Sequence, residues 1–282
     1  MSKLALLIGI NYQGSDSPLK GCINDVKAMR KYLIEKRGYN KDNITVLRDD
    51  IDGINPTRDN ILYYLGNLIY QANTNNSEEI FFHFSGHGDN DQPSIDITGE
   101  KDNKNEYIVT SDLDIVFDNE IRETIGGTGE NGTPALNSNT IMYIIMDCCR
   151  SGTNTDLPYV YDVKNGKLRK IQDYKQDITN YDNKTVYSIS GCSDSDFSTD
   201  GPLYAPFTDQ NDSNYTITPN ERAGGLLTIT LLKLLNSNLG YTYLNCLRKL
   251  RTDIQNYGKN IGETKIQQPL LSSSIPVNVT LK

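Results

Sequence analysis

Histidine is nearly absent from this chain: His83 and His87 are the two in 282 residues. The five cysteines (Cys22, Cys148, Cys149, Cys192, Cys246) include no C-x-x-C pair. Together these shortages argue against a structural zinc site. No apolar stretch approaches the roughly 18 residues a membrane-spanning helix needs, so no membrane role is expected. Met1-Ser2-Lys3 enters a strand pattern at once, with no secretory leader, which predicts a reducing, cytoplasmic setting. No cluster of Lys and Arg is interleaved with aromatics, and the net charge is -8. Nucleic acid is therefore not an expected partner. An acidic protein does suit basic substrates, although surface acidity more often only confers solubility. There is no internal repeat. The length is enough for one large α/β domain or two small ones.

What is present is concentrated in two places. The run Ile80-Phe81-Phe82-His83-Phe84 leads into Ser85-Gly86-His87-Gly88. The run Ile141-Met142-Tyr143-Ile144-Ile145-Met146 leads into Asp147-Cys148-Cys149-Arg150-Ser151-Gly152. Both read as buried strands that stop at a small-residue turn carrying a reactive side chain. In an open α/β sheet the carboxyl ends of neighbouring parallel strands form one crevice. Two such strands would bring an imidazole and a thiol together, the minimum equipment for a cysteine nucleophile. Cys148, one residue from Cys149, would point to the opposite face of its strand and is expected as a core thiol. His83 is likewise expected at an inward or cross-sheet position.

Around these two strands the pattern is βαβαβ. Lys3 to Asn11 is a buried strand. Cys22 to Gly38 is a helix, with Val26, Met29 and Leu33 on one face. Ile44 to Leu47 is a short strand. Asn55-Pro56-Thr57 opens a helix carrying Ile61, Leu65, Leu68 and Ile69. Asp89 to Asn105 is polar and predicts a loop, Tyr107 to Val109 a short strand, Asp118 to Ile125 a short helix. Residues 153–184 show no periodicity and predict a mobile linker. Beyond it, Thr185 to Ser190 is a strand, Ala223 to Leu235 and Tyr243 to Tyr257 are helices, and Pro276 to Leu281 is a last strand. Right-handed crossovers and a mostly parallel sheet covered by helices on both faces follow.

With these residues in place, the chain resembles the metacaspases, caspase-clan cysteine peptidases. The resemblance rests on Leu6-Leu7-Ile8-Gly9-Ile10-Asn11-Tyr12, Leu19-Lys20-Gly21-Cys22-Ile23-Asn24-Asp25, Asn55-Pro56-Thr57-Arg58-Asp59-Asn60-Ile61 and Ser85-Gly86-His87-Gly88. It continues in Asp147-Cys148-Cys149, Ser151-Gly152-Thr153, Asp156-Leu157-Pro158-Tyr159, Ile189-Ser190-Gly191-Cys192 and Gln268-Pro269-Leu270-Leu271-Ser272-Ser273-Ser274. Several motifs in order are far more specific than any one. It implies a single caspase-like three-layer α/β/α domain over residues 1–282, of type I architecture without an N-terminal prodomain. Residues 1–152 would be the large-subunit-like part and 185–282 the small-subunit-like part.

The resemblance also implies roles. His87 is the general acid or base and Cys149 the nucleophile. The physical reading agrees, since the leaving amine needs a proton, and the backbone amides of Gly88 and Cys149 are natural donors to the tetrahedral oxyanion. Cleavage after Arg or Lys would use an acidic pocket of Asp25 and Asp147, with Cys22 and Ser85 beside them. The substrates would be proteins or peptides with those residues, and the enzyme a monomer. For Asp25 the alternative is a charge stabilised by a helix N-terminus. The family's calcium positions correspond to Asn105, Asp118, Asn119 and Asp156. Two amides in place of carboxylates predict a weak or absent Ca2+ site. Arg150 replaces the family's usual histidine after the nucleophile. It could lower the thiol pKa or simply pair with an acid. Lys164, Lys167, Arg169, Lys170 and Lys175 predict self-cleavage in the linker, near Lys167 to Lys170. The rival readings are a caspase-clan peptidase of other specificity and a pseudo-peptidase acting as a binding partner.

Overall fold

The computed structural model describes residues 2–50, 53–93, 104–129, 132–149, 155–164, 167–173, 180–191, 200–202, 223–237, 242–260 and 266–277. The first apolar run is β1 (Lys3–Gly9). α1 (Cys22–Arg37) stops just before Gly38, and β2 (Ile44–Arg48) follows. α2 (Arg58–Thr74) begins at its sequence signal, with the Thr57 hydroxyl accepting a hydrogen bond from the Asn60 N–H. Next come β3 (Glu79–Ser85), β4 (Gly88–Pro93), β5 (Lys104–Val109), β6 (Ile115–Phe117), α3 (Asp118–Gly126) and β7 (Ile141–Asp147). The second half holds β8 (Tyr159–Lys164), β9 (Lys167–Asp173), β10 (Thr185–Ser190), β11 (Asp200–Pro202) and β12 (Ala223–Gly225). It closes with α4 (Leu226–Asn236), α5 (Tyr243–Asn260) and β13 (Leu270–Ser273).

Eight strands form the main sheet, in the order β2-β1-β3-β7-β10-β13-β8-β9. The first five are parallel, and β13, β8 and β9 continue the sheet antiparallel. Strand alternation splits the core into two layers. Leu4, Leu6, Ile8, Phe82, Phe84, Ile144 and Met146 pack with Ile61, Leu65 and Ile69 of α2 and Ile121 and Ile125 of α3. Ala5, Leu7, Phe81 and Ile145 face Val26, Met29 and Leu33 of α1, Leu227 and Leu231 of α4, and Leu250 and Ile254 of α5. Each fully buried Leu or Ile contributes about 1.5–3 kcal/mol. The layering is α/β/α with a mostly parallel sheet.

Four stretches differ from expectation. The segment predicted as a mobile linker supplies β8 and β9. Tyr159, Val160 and Tyr161 are buried, while Lys167, Arg169 and Lys170 line an exposed border strand. A charged border strand resists edge-to-edge pairing with other chains, and that polarity hides its β character. The polar stretch from Asp89 contributes most of β4 and the start of β5, which pair antiparallel. The final strand lies at Leu270–Ser273, inside the Gln268-to-Ser274 motif; Pro276 and Val277 fall outside it, and residues 278–282 lie outside the described residues. The helix expected from Ala223 starts three residues later, because Ala223–Gly225 pairs with β11.

Candidate active site

β3 and β7 are neighbours in register, with Ser85 opposite Asp147. His87 and Cys149 each lie two residues further on, so both leave the sheet at the same level of the same crevice. The two turns touch. A Cβ built on Gly88 would sit 2.8 Å from the Cys149 carbonyl oxygen and 3.2 Å from Cys148 Sγ. Only a residue without a side chain permits that approach. Cys148 faces the α2/α3 core with no exposure, whereas Cys149 is partly exposed. Cys148 continues the Ile144 and Met146 face of β7 into the same core, one residue past the strand's end.

His87 is held from three sides. Its Nε2 lies 2.7 Å from the Ser17 carbonyl oxygen. A carbonyl only accepts, so Nε2 carries a proton in this contact. The His87 N–H donates to the Tyr12 hydroxyl at 2.8 Å, and the two rings lie 4.6 Å apart at 33°. The Tyr12 hydroxyl donates onward to the Val109 carbonyl at 2.7 Å. Tyr12 itself has φ 51°, a left-handed conformation uncommon for a bulky residue. The Asp49 carboxylate secures that turn, accepting from the Asn11 and Tyr12 N–H groups at 2.9 and 2.7 Å. Burial and nearby acidic groups raise the phenol pKa well above its usual value, so the hydroxyl stays protonated. Tyr12 was legible as part of a motif but not as a support for His87. Ser17 contributes a backbone atom, which no side-chain pattern marks.

Asp25 and Asp147 meet at the N-terminus of α4. The Asp25 carboxylate accepts from Ser85 Oγ at 2.7 Å and from the Gly225 N–H at 2.9 Å. Asp147 Oδ2 accepts from the Thr228 N–H at 2.8 Å. A Cβ on Gly225 would lie 2.2 Å from Asp147 Oδ2 and 2.7 Å from Asp25 Oδ2. Two buried carboxylates thus converge on one helix end, where free N–H groups and the helix dipole favour negative charge. The helix concerned is α4, not Asp25's own α1. Cys22 is buried at the start of α1, its N–H bonded to Asn11 Oδ1 at 3.1 Å. Ser85 is buried beneath Asp25. Two residues before Ser85, His83 is fully enclosed on the same face, its Nε2 3.2 Å from Thr228 Oγ1. Burial alone pushes its pKa down to about 3, so it is neutral.

Residues 3–158, from β1 through β7 and both reactive turns, match the family model described as "Metacaspase, peptidase C14 domain". The chain belongs to the metacaspase family. It is 28% identical over 317 residues to Metacaspase-1 of Eremothecium gossypii, covering 100% of this chain and 66% of that protein. It is 31% identical over 286 residues to Metacaspase-5 of Trypanosoma brucei brucei, covering 98% of this chain and 51% of that one. The chain thus spans about half to two-thirds of the length of these curated relatives. The structure titled pro-sf-caspase-1 superposes with a TM-score of 0.52 at 10% identity, covering 96% of this chain and 90% of that one. The fold is caspase-like.

Of the four positions that the resemblance assigns to calcium, one is occupied by an ion pair. Asp156 Oδ2 is bound by Arg122 Nη1 at 2.7 Å, with both side chains buried. Asp118 Oδ1 accepts the Asn119 N–H at 2.8 Å. Asp118 Oδ2 and Asn119 Oδ1 are buried oxygens that accept no hydrogen bond, two where calcium takes six to eight. The Asn105 side chain lies outside the described residues. No three His, Cys, Asp or Glu side chains converge as a metal site among the described residues. A guanidinium beside the set repels a divalent cation. Arg150 and Cys192 also lie outside the described residues. No helix among the described residues is long and apolar enough to cross a membrane.

Proposed function

We propose that this metacaspase is a cysteine endopeptidase cutting protein or peptide substrates after Arg or Lys. The observation that carries the reading is the matched register of β3 and β7, which brings the His87-Gly88 turn against the Cys149 turn. His87 Nδ1 takes the Cys149 thiol proton, and the thiolate attacks the scissile carbonyl carbon to form a C–S bond. The oxyanion is taken up by the Gly88 and Cys149 N–H groups. His87, steadied by the Ser17 carbonyl and Tyr12, gives a proton to the leaving nitrogen as the C–N bond breaks. Water then attacks the thioester, His87 takes its proton, and the C–S bond breaks to regenerate the cysteine.

The Arg/Lys preference is supported by Asp25 and Asp147, two carboxylates gathered beside the nucleophile with Ser85 and Cys22 around them. A carboxylate pair can grip a guanidinium in bidentate fashion. Their bonds to the α4 N–H groups favour a second role, as caps holding α4 on the sheet. The two roles use different oxygen lone pairs. Self-processing belongs to the same reading, but β9 redirects it. Arg169 is paired with Asp162 and Lys170 lies over the Tyr159 ring. A peptide bond inside a paired strand is a poor substrate, so we assign the cut to Lys175, the linker lysine that follows those paired positions in sequence. The enzyme acts as a monomeric single domain in the cytoplasm.

A panel of fluorogenic peptides with Arg, Lys or Asp before the scissile bond tests the proposal. Cleavage after Arg and Lys, lost in Cys149→Ala, is the expected result. Equal cleavage after Asp would overturn the acidic-pocket reading, and retained cleavage in Cys149→Ala would overturn the nucleophile.

A further inference from the structure

We infer that Arg122 is a built-in cation that holds the chain segment following the nucleophile, so that this site needs no calcium. Arg122 projects from α3, and its Nη1 reaches Asp156 Oδ2 at 2.7 Å. Asp156 lies on the stretch that leaves Cys149 and leads into β8. The pair is enclosed, with side-chain exposures of 6% and 7%. At Asp156 the backbone has φ 45°, a left-handed conformation that a non-glycine residue adopts at a cost. Something must hold it there, and the guanidinium does. The neighbouring Thr155 carbonyl accepts a hydrogen bond from the buried Tyr181 hydroxyl. Leu157, on the other side, is buried in the same core cluster as Cys148. Ion pair, phenol and core contact therefore clamp three consecutive residues behind the nucleophile turn.

Burial, with the Asp156 and Asp118 carboxylates, raises the Tyr181 phenol pKa and Arg122 lowers it, so all three charges lie near that ring. Two carboxylates without a cation would repel each other in a buried place. The usual remedy at such a spot is a divalent ion. A guanidinium supplies the positive charge permanently, since it does not deprotonate in proteins and no chelator removes it. Arg122 is a positioning residue: it touches neither substrate nor the reacting atoms and acts through the Asp156 backbone.

The inference leans on the peptidase reading only for its activity readout. The deciding measurement is the thermal midpoint of the whole chain, titrated with calcium chloride to about 10 mM after chelator treatment, a range that reaches weak sites. The wild-type midpoint should stay flat, because a ligand that does not bind shifts nothing. Arg122→Ala should melt several degrees lower and recover part of the loss as calcium fills the vacated pocket. Its kcat should fall at least tenfold in chelator, with KM little changed, and Arg122→Lys should restore most of it. A wild-type midpoint that climbs with calcium would overturn the inference. So would Arg122→Ala cleaving at the wild-type rate in chelator. If Arg122→Ala does not fold, the wild-type titration and the Lys variant decide the matter: a Lys variant that requires calcium overturns it. Should no peptide be cleaved at all, the midpoint titrations still stand, and the peptidase reading fails separately.

Discussion

Adjacent residues just past the end of β7 carry opposite fates, and that is the sharpest test at the scale of single side chains. Cys148 is packed among apolar groups and Cys149 is partly exposed. Cys149→Ala should abolish cleavage and labelling by a thiol-directed peptide inhibitor. Cys148→Ala should keep most activity but lose stability by about 1–2 kcal/mol from the cavity it leaves. Asp147→Asn retains an oxygen for the Thr228 N–H yet loses its charge. Breaking a buried ion pair with a bound Arg costs about 3–5 kcal/mol, so kcat/KM on Arg peptides should drop a hundredfold or more. A similar drop on a neutral peptide would instead assign Asp147 to folding alone. His83 offers a pH signature. Its folded pKa, about 3, lies below the ordinary 6.5. The unfolded state therefore binds the extra proton, and the stability this site contributes is complete above pH 6.5. It is lost as the pH falls toward 3, at about 1.4 kcal/mol per pH unit. Urea unfolding between pH 7 and 4 should show a shallower pH dependence for His83→Gln than for wild type. Parallel curves would mean the histidine is charged in the fold.

Among the elements, the N-terminus of α4 does the most. It presents N–H groups to acids that arrive from α1 and from β7. Gly225→Ala places a methyl group where the two carboxylates already sit. Overpacking of this kind costs about 1–3 kcal/mol. It should raise KM for Arg peptides more than it lowers the melting midpoint in relative terms, as steady-state kinetics beside calorimetry would show. Unaltered KM would mean that the acids do not meet substrate. The β8–β9 hairpin makes a second prediction. Intact-mass analysis of active enzyme during incubation should find a cut after Lys175 and none after Lys167 to Lys170, and no cut in Cys149→Ala. A cut within β9 would mean that the hairpin opens in solution.

For the molecule as a whole, the net charge of -8 should steer basic peptides toward the site. The kcat/KM for Arg peptides should therefore fall severalfold as ionic strength rises from about 10 to 200 mM, where the Debye length shrinks below about 10 Å. A neutral reference peptide should not respond. Sedimentation should give the mass of one chain.

How much was legible follows from how far the relevant interactions reach along the chain. Legible in the residues alone were the buried strands β1, β3 and β7, helix α1 with both its ends, the start of α2, and the two reactive turns. Each of these is written in neighbouring residues, as runs, periods and caps. That Cys148 is the buried thiol of the pair followed from alternation alone. Tertiary structure decided the rest. The β8–β9 hairpin is a border pair whose polar residues look like a loop until β13, a hundred residues later, supplies the partner edge. Asp25 caps a helix 200 residues away, and Arg122 finds Asp156 across 34. Local sequence records the propensity of a segment and the chemistry of a side chain. Which donor meets which carboxylate is set only when the layers pack, because a buried charge takes whatever partner the fold brings within 3 Å.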